Sequence, residues 1–395
     1  MRYPPKPKPG DRVAVISPSA GLPAIFPHVY ELGLRRLREE FLLEPVEYPT
    51  TRVTGASAAD RARDTTAAFA DPTITAVLAT VGGDDQITVV PHLDDAVLRA
   101  NPKPFFGYSD NTNLLNHLFG LGIVSYHGGS VLVHLGRPGT LHPQTAESLR
   151  AALFTSGWYD LTPADSWNDE PADWADPANL DRDPTMFPGA GWHWQGPATV
   201  VEGPVWGGNL EILHWLLATN RVGPTPWLGP PPDPAAEPPG AATASGAATA
   251  SGAATASGTA AASGTATASG AAAASGAAVE RGGILVVETS EELPSDVEVY
   301  RILRNLGERG LLANFPAVVV GRPKSWDFAK RLSPPQKQEY AAAQRAAVTR
   351  AVGEYNPDAV LVFDVDLGHT DPQLIIPYGG LARVDAVQRR ISVRY

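Results

Sequence analysis

Residues 104–120 read PFFGYSDNTNLLNHLFG, and within a few residues they pass from an apolar run to a helical repeat. The run 104–108 has strand character. Leu114, Leu115 and Leu118 recur at helical spacing, and Gly120 suits a C-terminal cap. The polar insert Ser109-Asp110-Asn111 therefore joins the carboxyl end of a strand to the amino end of a helix. Working outward, the alternation repeats. Arg12–Ile16 is a short apolar run that ends in Ser17-Pro18-Ser19, and 28–40 carries helical spacing through Leu32, Leu34 and Leu37. The run 74–80 ends at Gly82-Gly83-Asp84-Asp85. Apolar strands alternating with helices predict an α/β N-terminal layered domain with a mainly parallel sheet covered on both faces. On such sheets sites form at the carboxyl ends of strands, where all three loops fall.

Beyond residue 150 the pattern changes. The stretch 151–206 holds Trp158, Trp167, Trp174, Trp192, Trp194 and Trp206 among many Asp and Pro, without a clear period. It reads as a long connection, its rings either plugging a domain junction or forming a ligand surface. Residues 231–279 are low in complexity, with six hexads of the type AATASG across 241–276. Ala, Thr, Ser and Gly bury too little apolar area to offset chain entropy, so the repeat reads as a flexible insertion. Deleting 241–276 is expected to shift the melting temperature by no more than a few degrees, because loop-closure cost changes slowly with length. A large drop in a thermal scan would show that the repeat packs on something.

Order resumes at Gly283. The run 284–287 reads as a strand, Ser295 and Glu298 as a capping box, and Val299, Leu303 and Leu306 as an apolar stripe. A strand at 317–320, a helix at 337–352 and a strand at 359–363 lead to Leu367-Gly368-His369-Thr370. The expected organisation is an N-terminal nucleophile domain at 1–150, the connection at 151–206, and a smaller C-terminal α/β domain at 207–395 interrupted by the 231–279 insertion.

Composition narrows the function. The 395 residues suffice for two domains, and 43% apolar with 18% charged residues describes a globular chain. A net charge of −11 argues against nucleic acid, which needs a basic face. The absence of Cys removes disulfides, thiolate metal sites and a Cys nucleophile. No apolar run approaches the roughly eighteen residues of a membrane span. The first ten residues lack the apolar stretch of a signal peptide, so a cytoplasmic location is expected, with no membrane partner.

Ser109 is the candidate nucleophile. A sharp strand-to-helix turn lifts such a serine above the sheet and aims the helix amino end at it, and Gly107 leaves room for the turn. The backbone N–H of Asp110, one residue on, is placed to stabilise an oxyanion. The competing reading is that Ser109 and Asp110 simply cap the helix. A serine needs a base, and of nine His only His127 and His369 follow an apolar run beside glycine. His369 follows a strand; His127, in Tyr126-His127-Gly128-Gly129, reads as part of a pocket floor. The base needs a carboxylate. Glu288 ends the 284–287 strand. Asp364 and Asp366 are rivals close to His369 in sequence, while Glu291 and Glu292 read as solvated.

These residues stand in segments that together resemble the LD-carboxypeptidase family of serine peptidases, in particular its microcin C self-immunity branch. The segments are VAVISPSAG at 13–21, ATVGGDD at 79–85, FFGYSDNT at 105–112, GGNLEIL at 207–213, ILVVETSEE at 284–292, LRNLGERGLL at 303–312, VVVGRP at 318–323 and GHTDPQLIIPYG at 368–379. The resemblance implies a Ser109–Glu288–His369 triad, an oxyanion hole made by the N–H groups of Gly83 and Asp110, and a homodimer. It implies no metal and no organic cofactor. It also places the Trp-bearing connection at the binding cleft, with Trp192 and Trp194 as the leading rings for stacking on a base. The expected substrate is a small peptide or a peptidyl- or aminoacyl-nucleotide. Murein tetrapeptides cut between L and D centres are the alternative, and a non-catalytic binding module is the alternative of another class.

Overall fold

The computed structural model describes residues 1–222 and 282–395; the hexad repeat and the 231–279 insertion lie outside the described residues. The first half alternates as β1 (Arg12–Ile16), α1 (Pro27–Glu39), β2 (Glu44–Glu47), α2 (Ala58–Ala70), β3 (Ile74–Ala79), α3 (Asp95–Ala100), β4 (Phe105–Gly107), α4 (Thr112–Gly120) and β5 (Ser125–His127). After α5 (Pro143–Phe154) come the short strands β6 (Trp158–Leu161), β7 (Ser166–Trp167), β8 (Phe187–Pro188) and β9 (His193–Gln195). The rest is β10 (Val200–Asn209), α6 (Leu210–Ala218), β11 (Ile284–Glu288), α7 (Asp296–Glu308), β12 (Ala317–Gly321), α8 (Pro334–Tyr355), β13 (Val360–Val365), β14 (Ile376–Tyr378), β15 (Leu381–Asp385) and β16 (Arg390–Arg394).

The first sheet runs β14-β5-β4-β3-β1-β2, parallel throughout except for β14, which pairs antiparallel with β5. Its strands are apolar because both faces are covered: Val13, Val15, Ala76 and Leu78 pack on one side, Ala14, Ile16, Val77 and Ala79 on the other. The stripe of α1 (Leu34, Leu37) lies in the first of these layers, and Leu114, Leu115 and Leu118 of α4 in the second. Helix α4 ends at Gly120 itself, and the left-handed turn falls on Gly122 at φ +78°.

The second sheet is the wider one, in the order β6-β16-β15-β10-β11-β12-β13-β9. Only β10 to β13 are parallel, with Asn209 beside Glu288 at the ends of β10 and β11. The expected smaller C-terminal sheet comprised only the strands at 284–287, 317–320 and 359–363, which are β11, β12 and β13. The stretch 151–206 adds β6, β9 and most of β10, and the β15–β16 hairpin adds two more antiparallel strands. Apart from the ten-residue β10 these strands are short, and none of them carries the unbroken apolar run that marks the parallel strands. Helix α7 opens on the expected capping box, with Ser295 and Glu298 bonded to each other's backbone N–H. Both apolar layers draw residues from both halves of the chain. Among the described residues no helix is long and apolar enough to cross a membrane.

Candidate active site

Ser109 begins the turn between β4 and α4, with φ +61°. A non-glycine residue in the left-handed region is strained, and the turn lifts its side chain off the sheet. The strand loops on either side hold that turn. A Cβ on Gly82 would sit 2.8 Å from Ser109 Cβ and 3.0 Å from its Oγ, so only glycine lets the β3 loop pass the serine. Arg61 pins that loop, bonding both Asp85 oxygens at 2.7 Å and Ser19 O at 2.8 Å. The Asp110 carboxylate is buried and points away from the cleft, accepting from Gln86 N and Asn113 Nδ2, each at 2.9 Å, and from Ser19 Oγ. Its role is to lock the turn. Burial raises its pKa, against the hydrogen bonds that lower it.

His369 arrives on the loop after β13. Its Nε2 is 3.1 Å from Ser109 Oγ, and its Nδ1 is 2.6 Å from Glu288 Oε2. With Nδ1–H donating to Glu288, Nε2 is free to accept the serine hydroxyl. Gly368, at φ +87°, permits this: a Cβ there would sit 2.7 Å from both Glu288 Cβ and Glu288 Oε2. Gln373 braces the loop, donating to Gly368 O at 2.6 Å and accepting from Gly129 N at 3.3 Å. Glu288 ends a parallel strand and is 1% exposed. Burial alone would raise its pKa, but His369, which is hydrogen-bonded to it, and the nearby His127 ring outweigh burial and lower it. For His369 burial pulls the pKa down, and Glu288 and Glu291 outweigh it, raising it.

The rival carboxylates are engaged elsewhere. Asp364 pairs with Arg345 at 2.7 Å, and Asp366 accepts from Arg322, Ala164 N and Trp192 Nε1. His127 lies behind Glu288, with Nε2 3.7 Å from Glu288 Oε1, and does not line the cleft. Neither of its ring nitrogens has a hydrogen-bond partner among the described residues. Of the two expected oxyanion donors, Asp110 N opens the helical turn, where N–H groups have no acceptor within the helix. Gly83 follows Gly82 in the adjoining loop and faces Ser19 and Ala20.

An open cleft lies beside His369, lined among others by His134, Arg137, Trp174, Lys324 and Asp371. Trp192 and Trp194 are absent from its walls. The Trp192 nitrogen is spent on Asp366 at 2.9 Å, Trp194 is held in β9 against β13, and both rings pack on the apolar core. The ring at the cleft is Trp174, edge-on to Phe26 at 5.4 Å. Its segment is fastened to the His369 loop by paired backbone bonds between Asn168 and Asp371 at 2.7 and 2.8 Å. Sequence spacing alone did not separate one Trp from another, because the segment has no period. Arg137 is committed to Asp371, Asp183, Pro138 O and Thr140 O. Lys324 is buried and makes one hydrogen bond among the described residues, to Asp169 O at 2.9 Å. Burial lowers its pKa. His134 takes a hydrogen bond from Ser130 N at 3.1 Å, and burial, with His369 and His127 nearby, lowers its pKa to about 3, so it is neutral. Asn209, with a buried Nδ2 that has no partner among the described residues, is a further donor next to Glu288 that the sequence did not single out.

A strained serine at a strand–helix turn, bonded to a histidine that is bonded to a buried carboxylate, is the arrangement used by serine hydrolases on several unrelated folds. The chain belongs to the LD-carboxypeptidase family: that family's N-terminal domain matches residues 13–128 and its C-terminal domain residues 259–384. The microcin C7 self-immunity protein MccF of Escherichia coli is 33% identical over 162 residues, covering 39% of this chain and 45% of that protein. The curated relatives are matched over 45% to 66% of their own length. In fold the likeness extends along the whole chain. A structure of MccF in complex with glutamyl sulfamoyl guanosine superposes with TM-score 0.73 at 20% identity, covering 99% of this chain and 98% of that one. An MccF-like protein from Streptococcus pneumoniae in complex with AMP gives 0.73 at 22%, covering 98% and 99%.

Proposed function

We propose that the protein is a serine hydrolase that cleaves the amide bond of an aminoacyl- or peptidyl-nucleotide, with Ser109 as nucleophile, His369 as base and Glu288 as the carboxylate that orients it. The observation that carries this reading is the unbroken line from Ser109 Oγ through His369 to Glu288, with contacts of 3.1 and 2.6 Å. Ser109 Oγ attacks the carbonyl carbon as His369 Nε2 takes its proton. Glu288 holds the imidazole tautomer and stabilises the imidazolium. The N–H groups of Asp110 and Gly83 receive the developing oxyanion. As the C–N bond breaks, His369 returns the proton to the leaving nitrogen. Water, deprotonated by the same imidazole, then hydrolyses the acyl-enzyme.

The nucleotide side of the reading rests on the cleft. Lys324 has hydrogens to spare for a phosphate or sulfamate, and Trp174 presents a ring for a base. These are the chemical parts of the ligands that the related structures name, AMP and glutamyl sulfamoyl guanosine. Stacking on an aromatic ring is worth roughly 1–3 kcal/mol, so Trp174→Ala is expected to lower kcat/KM on an aminoacyl-sulfamoyl-adenosine by about one to two decades. The melting temperature should hold within a few degrees, because the ring is only partly buried. The same variant should act normally on a substrate whose leaving group lacks a base; equal losses on both would remove the stacking role. Mass analysis of products from sulfamoyl-nucleotide conjugates and murein tetrapeptides tests the whole reading: cleavage of murein peptides alone would replace it with an LD-carboxypeptidase activity. By the family's pattern the active form is a homodimer.

A further inference from the structure

Glu291 has no part in the mechanism above. Its Oε2 lies 3.2 Å from His369 Nε2, the nitrogen that Ser109 Oγ meets at 3.1 Å. In the structure the hydrogen bond of that nitrogen goes to Ser109 and Glu291 stands at ion-pair distance; with one hydrogen or one lone pair, Nε2 serves one of the two oxygens at a time. When it donates to Glu291, with Nδ1 donating to Glu288, the ring is an imidazolium and cannot accept the serine proton. Glu291 is 55% exposed at the side chain, and no Lys or Arg pairs with it among the described residues. Its ion-pair partner among the described residues is the catalytic base, and Lys324 lies near enough to feel its charge.

We propose that Glu291 is the seat for an ammonium group carried on the α-carbon of the substrate's acyl portion, and that filling this seat removes the carboxylate's competition for His369 Nε2. The inference rests on the serine-hydrolase reading and names the acyl side of its substrate. Glu291 and Ser109 share one nitrogen, so the carboxylate lies within two hydrogen-bond lengths of the nucleophile. An α-nitrogen is two covalent bonds from the carbonyl carbon under attack, so an ammonium there reaches Glu291 while the carbonyl sits on Ser109. An acylated α-nitrogen, as inside a peptide, carries no charge and leaves Glu291 on His369. The site thereby favours free aminoacyl conjugates over internal peptide bonds, and the correct substrate switches on its own base.

The surroundings agree. His369 is faced by Glu288 and Glu291 of the segment ending β11, by Glu211 of α6, by Tyr108 before the nucleophile turn, and by His134 across the cleft; Lys324 faces Glu291. Burial favours the neutral ring, and the carboxylates outweigh it, lifting the pKa to about 9. The base works only when neutral, so the activity of the empty site rises with pH through that value. Removing Glu291's charge lowers the pKa and moves the rise to lower pH.

The test uses the full chain, Glu291→Gln, and Glu292→Gln as a control on the neighbouring carboxylate. Labelling of Ser109 by an amine-free fluorophosphonate is followed from pH 5 to 10. The Glu291→Gln protein should label up to about tenfold faster than the native protein at pH 7, since each unit of pKa is a factor of ten in neutral imidazole. The ratio of kcat/KM for an α-aminoacyl-sulfamoyl-adenosine over its N-acetyl derivative should favour the free amine in the native protein. It should fall by about tenfold in Glu291→Gln and stay put in Glu292→Gln. An unmoved labelling profile, or an unchanged ratio, overturns the proposal. A native protein that resists the fluorophosphonate at every pH would instead sink the serine-hydrolase reading.

Discussion

Ser109→Ala is expected to lower turnover by roughly 10⁴-fold or more while the melting temperature stays within a few degrees, because serine, histidine and carboxylate act as a unit. The change removes one oxygen. The Cβ that packs on Gly82 remains, and so does the positive φ that the turn imposes on either residue. A structural serine that only capped α4 would behave the opposite way, with normal turnover and a loss of about 1 kcal/mol in stability. His369→Ala should lose a similar factor in turnover but also some stability, since it leaves the buried Glu288 without its 2.6 Å hydrogen bond, with His127 at 3.7 Å as its remaining ion-pair contact among the described residues. Turnover of the Ser109→Ala protein near the native rate, measured on any substrate that the native protein cleaves, would end the mechanism.

Glu288→Gln carries the second large effect, a loss of about 10²- to 10⁴-fold in kcat. The amide fills the same space but brings no charge to stabilise the imidazolium, and presenting its NH₂ to Nδ1 favours the wrong tautomer. The pH profile gives the sign. Glu288 raises the His369 pKa, so without its charge the neutral ring persists to lower pH and the acid limb shifts downward. A lower plateau with an acid limb moved to lower pH is the expected signature. A lower plateau with an unmoved limb would mean that Glu288 acts by packing alone.

The parts of the molecule legible in the sequence are those where one short-range signal suffices. The strands of the parallel cores are apolar because they are buried on two faces, and each ends in a glycine or a polar turn where a site can form. Ser109, Glu288 and His369 all stand at such ends, which is why they can be singled out one by one. Features set by tertiary contact were not legible. Trp174 and Trp192 differ only in where the β7–β9 segment folds, and nothing local distinguishes them. Glu291 reads as a solvated neighbour of Glu292, and only the approach of the His369 loop gives it a partner. Strands β6 and β9 are too short and too polar to announce themselves.

The antiparallel strand Ile376–Tyr378 has a consequence for biosynthesis. It covers the outer edge of β5, so until it arrives the first sheet ends in Ser125–His127 with open N–H and C=O groups. A ribosome delivers residues at roughly 5–20 per second, which leaves that edge bare for on the order of ten to fifty seconds after β5 has emerged. Exposed edges recruit other strands, including those of sister chains on the same messenger. The nascent protein is thus most vulnerable through the long middle of its own translation. Its reactive centre is drawn together in the same closing act, since His369 is delivered just ahead of the strand that seals the edge.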